Sequence, residues 1–199
     1  MEGKKDIAKI LVTGPFNAGK TTLIKYVTSE QLLSKDVKAT DSLARFKAMT
    51  TVGLDFGVLH VDETLDVHLF GTPGQARFNF MWKLLAKGAL GTIFLIDSSS
   101  QRAIDEGKLM YEYYRKQSDT PIIIGATKQD LEGAKDVDTI TLELGIQENH
   151  TVIGCDPRKK EDSKLLVLSL LQQVILDEED DDDDDDDMQF DDDDDFEFL

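Results

Sequence analysis

A single cysteine, Cys155, stands in the 199 residues. That excludes a disulfide framework and fits a reducing compartment. Long apolar runs are missing too. The richest stretches, 88–96 and 165–176, fall far short of the roughly 20 residues needed to cross a bilayer, and Ser169, Gln172 and Gln173 interrupt the second. No basic start followed by an apolar segment marks a secretory signal, and neither Glu2 nor the closing Phe-Glu-Phe-Leu fits a lipidation motif. A cytoplasmic chain without a lipid anchor is the expectation. The three histidines, His60, His68 and His150, are scattered and suggest no ligand set.

Basic residues are absent from 177–199, where 17 of the 40 acidic residues lie. The first 176 residues therefore carry 22 positive against 23 negative charges, and the formal charge of -18 belongs almost wholly to the tail. A near-neutral body gives no case for a nucleic-acid surface. Its length suits one domain, so the expected organisation is a folded domain over 1–176 and a disordered acidic tail over 177–199.

Hydrophobic periodicity orders the body. Residues 7–12 are a short apolar run closed by Thr13-Gly14, which suits a covered strand, and 21–33 have helical spacing directly after a glycine-rich turn. Residues 34–51 show no clean period and are too long for an ordinary connector, so a mobile functional loop is expected. The runs 54–61 and 65–70, separated by Asp62-Glu63-Thr64, predict an antiparallel hairpin. Helices are expected over 76–87, 101–117, 139–144 and 161–176, and strands over 92–97, 121–126 and 151–154. Alternating strands and helices imply an α/β fold of three layers, α/β/α, whose six-stranded sheet is mostly parallel with one antiparallel strand from the hairpin.

The segment Gly14-Pro-Phe-Asn-Ala-Gly-Lys-Thr21 matches the P-loop pattern GxxxxGKT in the required context, after a strand and before a helix. Its glycines let backbone N–H groups turn around the α- and β-phosphates of a nucleotide. Lys20 then reaches the β/γ oxygens, and the Thr21 hydroxyl binds magnesium. The base is addressed by Thr127-Lys-Gln-Asp130 after a buried strand. The Asp130 carboxylate can accept from guanine N1–H and N2–H₂, a donor pair adenine lacks, while the Lys128 stem lies over the ring.

In this order of motifs, residues 5–176 resemble the Ras-like small GTPases: the P-loop, Thr51, Gly71-Thr-Pro-Gly-Gln75, Thr127-Lys-Gln-Asp130 and Gly154-Cys-Asp156. More narrowly, Thr50-Thr-Val-Gly-Leu-Asp-Phe-Gly57 and Leu69-Phe-Gly-Thr-Pro-Gly-Gln-Ala-Arg-Phe-Asn-Phe-Met-Trp82 look like a prokaryotic group akin to the gliding-motility switch proteins. The resemblance implies a P-loop NTPase of the small-GTPase fold that binds GTP and GDP with Mg2+ and switches between two states. Carried over by position, Thr51 meets magnesium and the γ-phosphate, the Gly74 N–H touches the γ-phosphate, and Gln75 orients the attacking water. With Lys20, Gln75 and Thr51 form the expected catalytic set, while Thr21 and Thr51 form the metal set. Phe16, Asn17, Ala18, Gly19 and Thr22 join Gly14 in the nucleotide cradle, and Cys155 and Asp156 are expected to border the base. An activator, an exchange factor and an effector at the two switch loops are the implied partners.

Four positions depart from the Ras pattern. Gly71 stands where an aspartate holds the water shell of magnesium. Asp55, on the neighbouring hairpin strand, is the nearest replacement in sequence, although a strand aspartate more often faces solvent or a lysine, and that is the expectation here. Thr127 replaces an asparagine that ties the base loop to the P-loop. Gly154-Cys155-Asp156 replaces Ser-Ala-Lys, removing a lysine from beside the base. Phe16 replaces a glycine and brings bulk to the γ-phosphate, which predicts slow hydrolysis. Arg45 and Arg77 are the in-chain candidates for an arginine finger, each also fitting a surface salt bridge. Phe78, Phe80, Met81 and Trp82 suit either an effector surface or core packing. In the tail, Phe190, Phe196 and Phe198 punctuate the aspartates, a pattern that suits docking to a basic protein or mere charge repulsion.

Overall fold

A computed structural model describes residues 5–28, 54–74, 85–146 and 150–184. Six strands form one sheet: β1 (Asp6–Thr13), β2 (Asp55–His60), β3 (Leu65–Gly71), β4 (Gly91–Asp97), β5 (Ile122–Thr127) and β6 (Thr151–Cys155). The described helices are α1 (Lys20–Val27), α2 (Gln101–Arg115), α3 (Val137–Leu144) and α4 (Lys160–Asp184). The strand order is β2-β3-β1-β4-β5-β6, with every neighbouring pair parallel except β2 and β3. The expected three-layer α/β fold, its single antiparallel strand included, is the observed one.

Both faces of the central strands are covered, which is why β4 and β5 read as unbroken apolar runs. Alternation along each strand sorts its side chains between two cores. Ile10, Val12, Ile93, Leu95 and Ile123 meet Leu23 and Ile24 of α1 and Leu166, Val167 and Leu170 of α4 on one face. Leu11, Phe94, Ile96, Ile122 and Ile124 meet Ile104 and Tyr111 of α2 and Ile140 and Leu144 of α3 on the other. The Ser100 hydroxyl and the Asp136 carboxylate cap α2 and α3 by accepting from the Ala103 and Thr139 N–H groups.

Helix ends were the least legible features. The α3 helix begins at Val137, two residues before the expected Thr139, because Asp136 caps it there. Of the helix expected over 76–87, only residues 85–87 are described, Leu85 and Ala86 helical and Lys87 in a turn. The last helix passes the expected end at Leu176 and continues through Asp184. Its apolar stripe is anchored in the core, so each further residue adds a hydrogen bond to an existing helix, and Glu178 and Glu179 favour helix intrinsically.

Candidate functional site

Because β1, β4, β5 and β6 are parallel, the segments leaving Thr13, Asp97, Thr127 and Cys155 emerge at one edge of the sheet. Strand order also reverses there, β1 having β3 on one side and β4 on the other. An open α/β sheet offers its ligand crevice at such a reversal.

The loop after β1 is shaped by its glycines. Gly14 has φ +131°, and a Cβ on it would fall 2.0 Å from the Leu95 carbonyl oxygen. Gly19 has φ +101° and heads α1 without any side-chain cap, and no acidic residue occupies the first turn. The positive end of α1 is thus directed at the loop, as an anion site requires. Asn17 takes a left-handed conformation at φ 64°, and Phe16 is exposed. Lys20 is buried, and its Nζ donates to the Gly14 carbonyl at 2.8 Å and the Pro15 carbonyl at 2.6 Å. Burial lowers its pKa to about 8, against the opposing pull of the Asp55 charge. An ammonium buried against two neutral carbonyls gains from an arriving phosphate.

The residues expected at the base end line a cleft of about 290 Å³, with Asn17, Ala18, Thr127, Lys128, Asp130 and Arg158 among its walls. Thr127 is fully buried, and its hydroxyl lies 3.1 Å from the Ala18 carbonyl oxygen and 2.9 Å from that of Ile96. The hydroxyl therefore supplies the tie between base loop and P-loop whose loss the substitution for asparagine suggested. Lys128 donates to the buried Asp97 carboxylate. Burial alone would raise the Asp97 pKa, but hydrogen bonds from Lys128 and Ser99 outweigh it and hold that pKa below the usual range. Lys128 itself has φ 62°, a conformation that needs such an anchor.

Asp130 accepts from Arg158 Nη2 at 2.9 Å, and the same guanidinium pairs with Asp156 through Nε and Nη2, each at 2.8 Å. The bond from Arg158 lowers the Asp156 pKa. Cys155 is buried in the core, its thiol pushed up to about 12 by burial, so its side chain does not line the cleft. Arg158, Pro157 and Asp97 were not singled out from sequence. Arg158 follows Asp156 by two positions, close enough for a guanidinium to return to it, and that spacing was the available signal.

Magnesium suits the residues at the phosphate end. The Thr21 hydroxyl donates to Asp55 Oδ2 at 2.5 Å, placing two hard oxygen donors beside the Lys20 ammonium. Among the described residues no group of three or more His, Cys, Asp or Glu could hold a metal ion. Gly74 packs near Lys20, a Cβ there meeting Nζ at 2.7 Å. Thr51, Gln75, Arg45, Arg77, Phe78, Phe80, Met81, Trp82, Phe190, Phe196 and Phe198 lie outside the described residues. A larger hollow of about 420 Å³ beside Tyr113 and Tyr114 touches none of the motifs.

Known proteins resemble the chain over much of its length. A family described as "Conserved hypothetical ATP binding protein" matches residues 28–177, a range that begins after the P-loop. The uncharacterized protein MJ1339 of Methanocaldococcus jannaschii is 32% identical over 151 residues, covering 76% of this chain and 75% of its own length. ADP-ribosylation factor-like protein 6 of Caenorhabditis elegans is 30% identical over 149 residues, 72% of each chain. ADP-ribosylation factor-related protein 1 of Bos taurus is 30% identical over 132 residues, 65% of this chain and 63% of its own. With its P-loop pattern and these relatives, the chain belongs to the ATP-binding-protein family so described and, within the P-loop proteins, to the small-GTPase-like group.

Proposed function

We propose that the chain is a guanine-nucleotide switch that binds GTP and GDP with magnesium and hydrolyses GTP slowly. One observation carries the reading: the same edge of the sheet carries the loop after β1, with its buried Lys20, and the cleft lined by Asp130, an aspartate able to accept two hydrogen bonds from a base. Lys20 and the N–H groups of residues 14–19 hold the phosphates, Thr21 meets the metal, Thr127 fixes the two loops together, and Asp130 reads the base once Arg158 yields it. Magnesium, when bound, neutralises charge on the β- and γ-phosphate oxygens. Gln75 positions water, Thr51 senses the γ-phosphate, and Phe16 crowds the same space, which keeps the rate low.

Guanine is preferred to adenine because Asp130 is an acceptor, and adenine offers its Watson–Crick edge no matching pair of donors. The family's description names ATP, so the deciding experiment is competition of unlabelled GTP, GDP and ATP against a fluorescent GDP. Displacement by GTP and GDP but not ATP upholds the reading, and equal displacement by ATP replaces it with an adenine-nucleotide function. The exposed Phe16 favours one variant of the proposal, a GTP-holding module without useful turnover. Single-turnover hydrolysis separates the two, since a switch shows a rate that Gln75→Leu abolishes.

Partners follow from the same reading. An activator, an exchange factor and an effector meet the two switch loops, and the acidic-aromatic tail docks a basic protein. The motifs around Thr51 and Gln75 align the chain with the prokaryotic switch proteins akin to those of gliding motility. No helix among the described residues is long and apolar enough to cross a membrane, and cytoplasmic action is part of the proposal.

A further inference from the structure

The magnesium site of a P-loop switch requires a carboxylate beyond its threonine, and the strand that would supply it ends here in Gly71. Asp55 is the first residue of β2, and the antiparallel register places it directly opposite Gly71, the last residue of β3. Cross-strand partners point to the same face of a sheet, so a side chain at either position reaches the same region. The two positions exclude each other. A Cβ on Gly71 would lie 2.9 Å from the Asp55 Cβ, 3.4 Å from its Oδ2 and 2.9 Å from Ile24 Cδ1. Asp55 is also already engaged with the metal-binding threonine, its Oδ2 accepting from Thr21 Oγ1 at 2.5 Å. A hydroxyl whose proton is committed to a carboxylate keeps its lone pairs for a cation.

We propose that Asp55 is the magnesium-positioning carboxylate of this chain, supplied from β2 across the hairpin in place of the one absent at Gly71. The inference rests on the nucleotide reading and adds one residue to it. Asp55 acts through Thr21 and through the water shell of the ion, so it is a positioning residue, and its loss must appear in metal dependence before it appears in chemistry. The missing β3 aspartate and the strand carboxylate expected to face solvent are then one feature: the carboxylate has moved one strand outward, and the glycine makes room for it.

The test uses the full chain loaded with fluorescent GDP and chased with unlabelled GDP, with magnesium or with EDTA. In the wild type, EDTA accelerates release strongly. Asp55→Asn, which keeps the shape and removes the charge, is expected to shrink that acceleration about 10- to 100-fold, releasing in magnesium nearly as fast as in EDTA. Asp55→Gly/Gly71→Asp, which returns the carboxylate to β3, is expected to restore the wild-type acceleration, whereas Asp55→Gly alone does not. A purely structural role for Asp55 would speed release equally with and without magnesium. Unchanged metal dependence in Asp55→Asn, or a double variant no better than Asp55→Gly, overturns the proposal. If Asp55→Asn does not fold, the double variant decides alone. A wild type that binds no guanine nucleotide overturns the reading beneath the proposal instead, and is recognised because no loading occurs.

Discussion

At the phosphate end Lys20 is buried against two carbonyls, while the bond from Thr21 to Asp55 beside it is exposed. At the proposed base end the carboxylate of Asp130 is half exposed and shared with an exposed arginine. A hydrogen bond in an enclosed, low-dielectric setting gains more from a charged ligand than one in water, and its loss costs more. In the proposed reading the phosphate end therefore sets whether a nucleotide binds, and the base end sets which one. Substitutions that act at one end only can separate these roles.

The largest effect is expected at Lys20. Lys20→Met should weaken GDP and GTP by about 3 kcal/mol or more, because it removes the charged donor from a desolvated pair. Titration calorimetry measures the loss, and a loss similar to that of Asp130→Asn would erase the contrast between the two ends. The same residue carries a pH signature. Its pKa is about 8 in the folded protein against 10.5 ordinarily, so between those values the unfolded chain holds a proton the folded chain has released. Stability relative to Lys20→Met should therefore rise with pH across that window. Nucleotide affinity should fall across it, since a phosphate needs the ammonium. A flat difference between the two denaturation profiles would show that the ammonium is not desolvated.

Next comes Asp130→Asn, expected to cost about 1.5–3 kcal/mol of guanine-nucleotide affinity, as a charge-assisted acceptor of two donors becomes an amide. The loss should be the same for GDP and GTP, which share the base, and should leave the magnesium effect on release intact. A loss confined to GTP would mean that the residue acts on the γ-phosphate through the loops.

A smaller effect is expected at Thr127, where the two ends are joined. Thr127→Val keeps the shape, removes the hydroxyl near the Ala18 and Ile96 carbonyls, and should cost about 1 kcal/mol of stability. GDP release should quicken with it. Equal stability together with unchanged release would show that the loops are held by packing alone.

What the sequence disclosed follows the same division. The P-loop was legible because strand, glycines, lysine and threonine are contiguous, and contiguous residues fix their own geometry. The sheet was legible because the buried strands are short apolar runs bounded by turns. The contact of Asp55 with Thr21 was not legible because it depends on hairpin register, which sets Asp55 opposite Gly71, 16 positions away. Arg158 was passed over because its partner Asp130 lies on a different loop. The continuation of α4 was missed because a run of aspartates predicts no helix by itself, whereas the core-anchored turns before it supply the nucleus.

The smallest effect is expected at Arg158, which tests the open end directly. Its guanidinium pairs with Asp130 and Asp156, yet it is well exposed, so the pairs are screened and add little to stability. They do occupy the carboxylate that a guanine would engage in the proposed reading. Arg158→Ala should therefore leave the melting temperature nearly unchanged while tightening GDP by less than about threefold at low salt, and the gain should vanish as salt rises. GTP should follow GDP, because the competition is at the base and not at the phosphates. A weakened affinity would reverse the assignment: Arg158 would then contact the nucleotide itself, replacing the lysine lost from Gly154-Cys155-Asp156, and the base end would be less open than its exposure suggests.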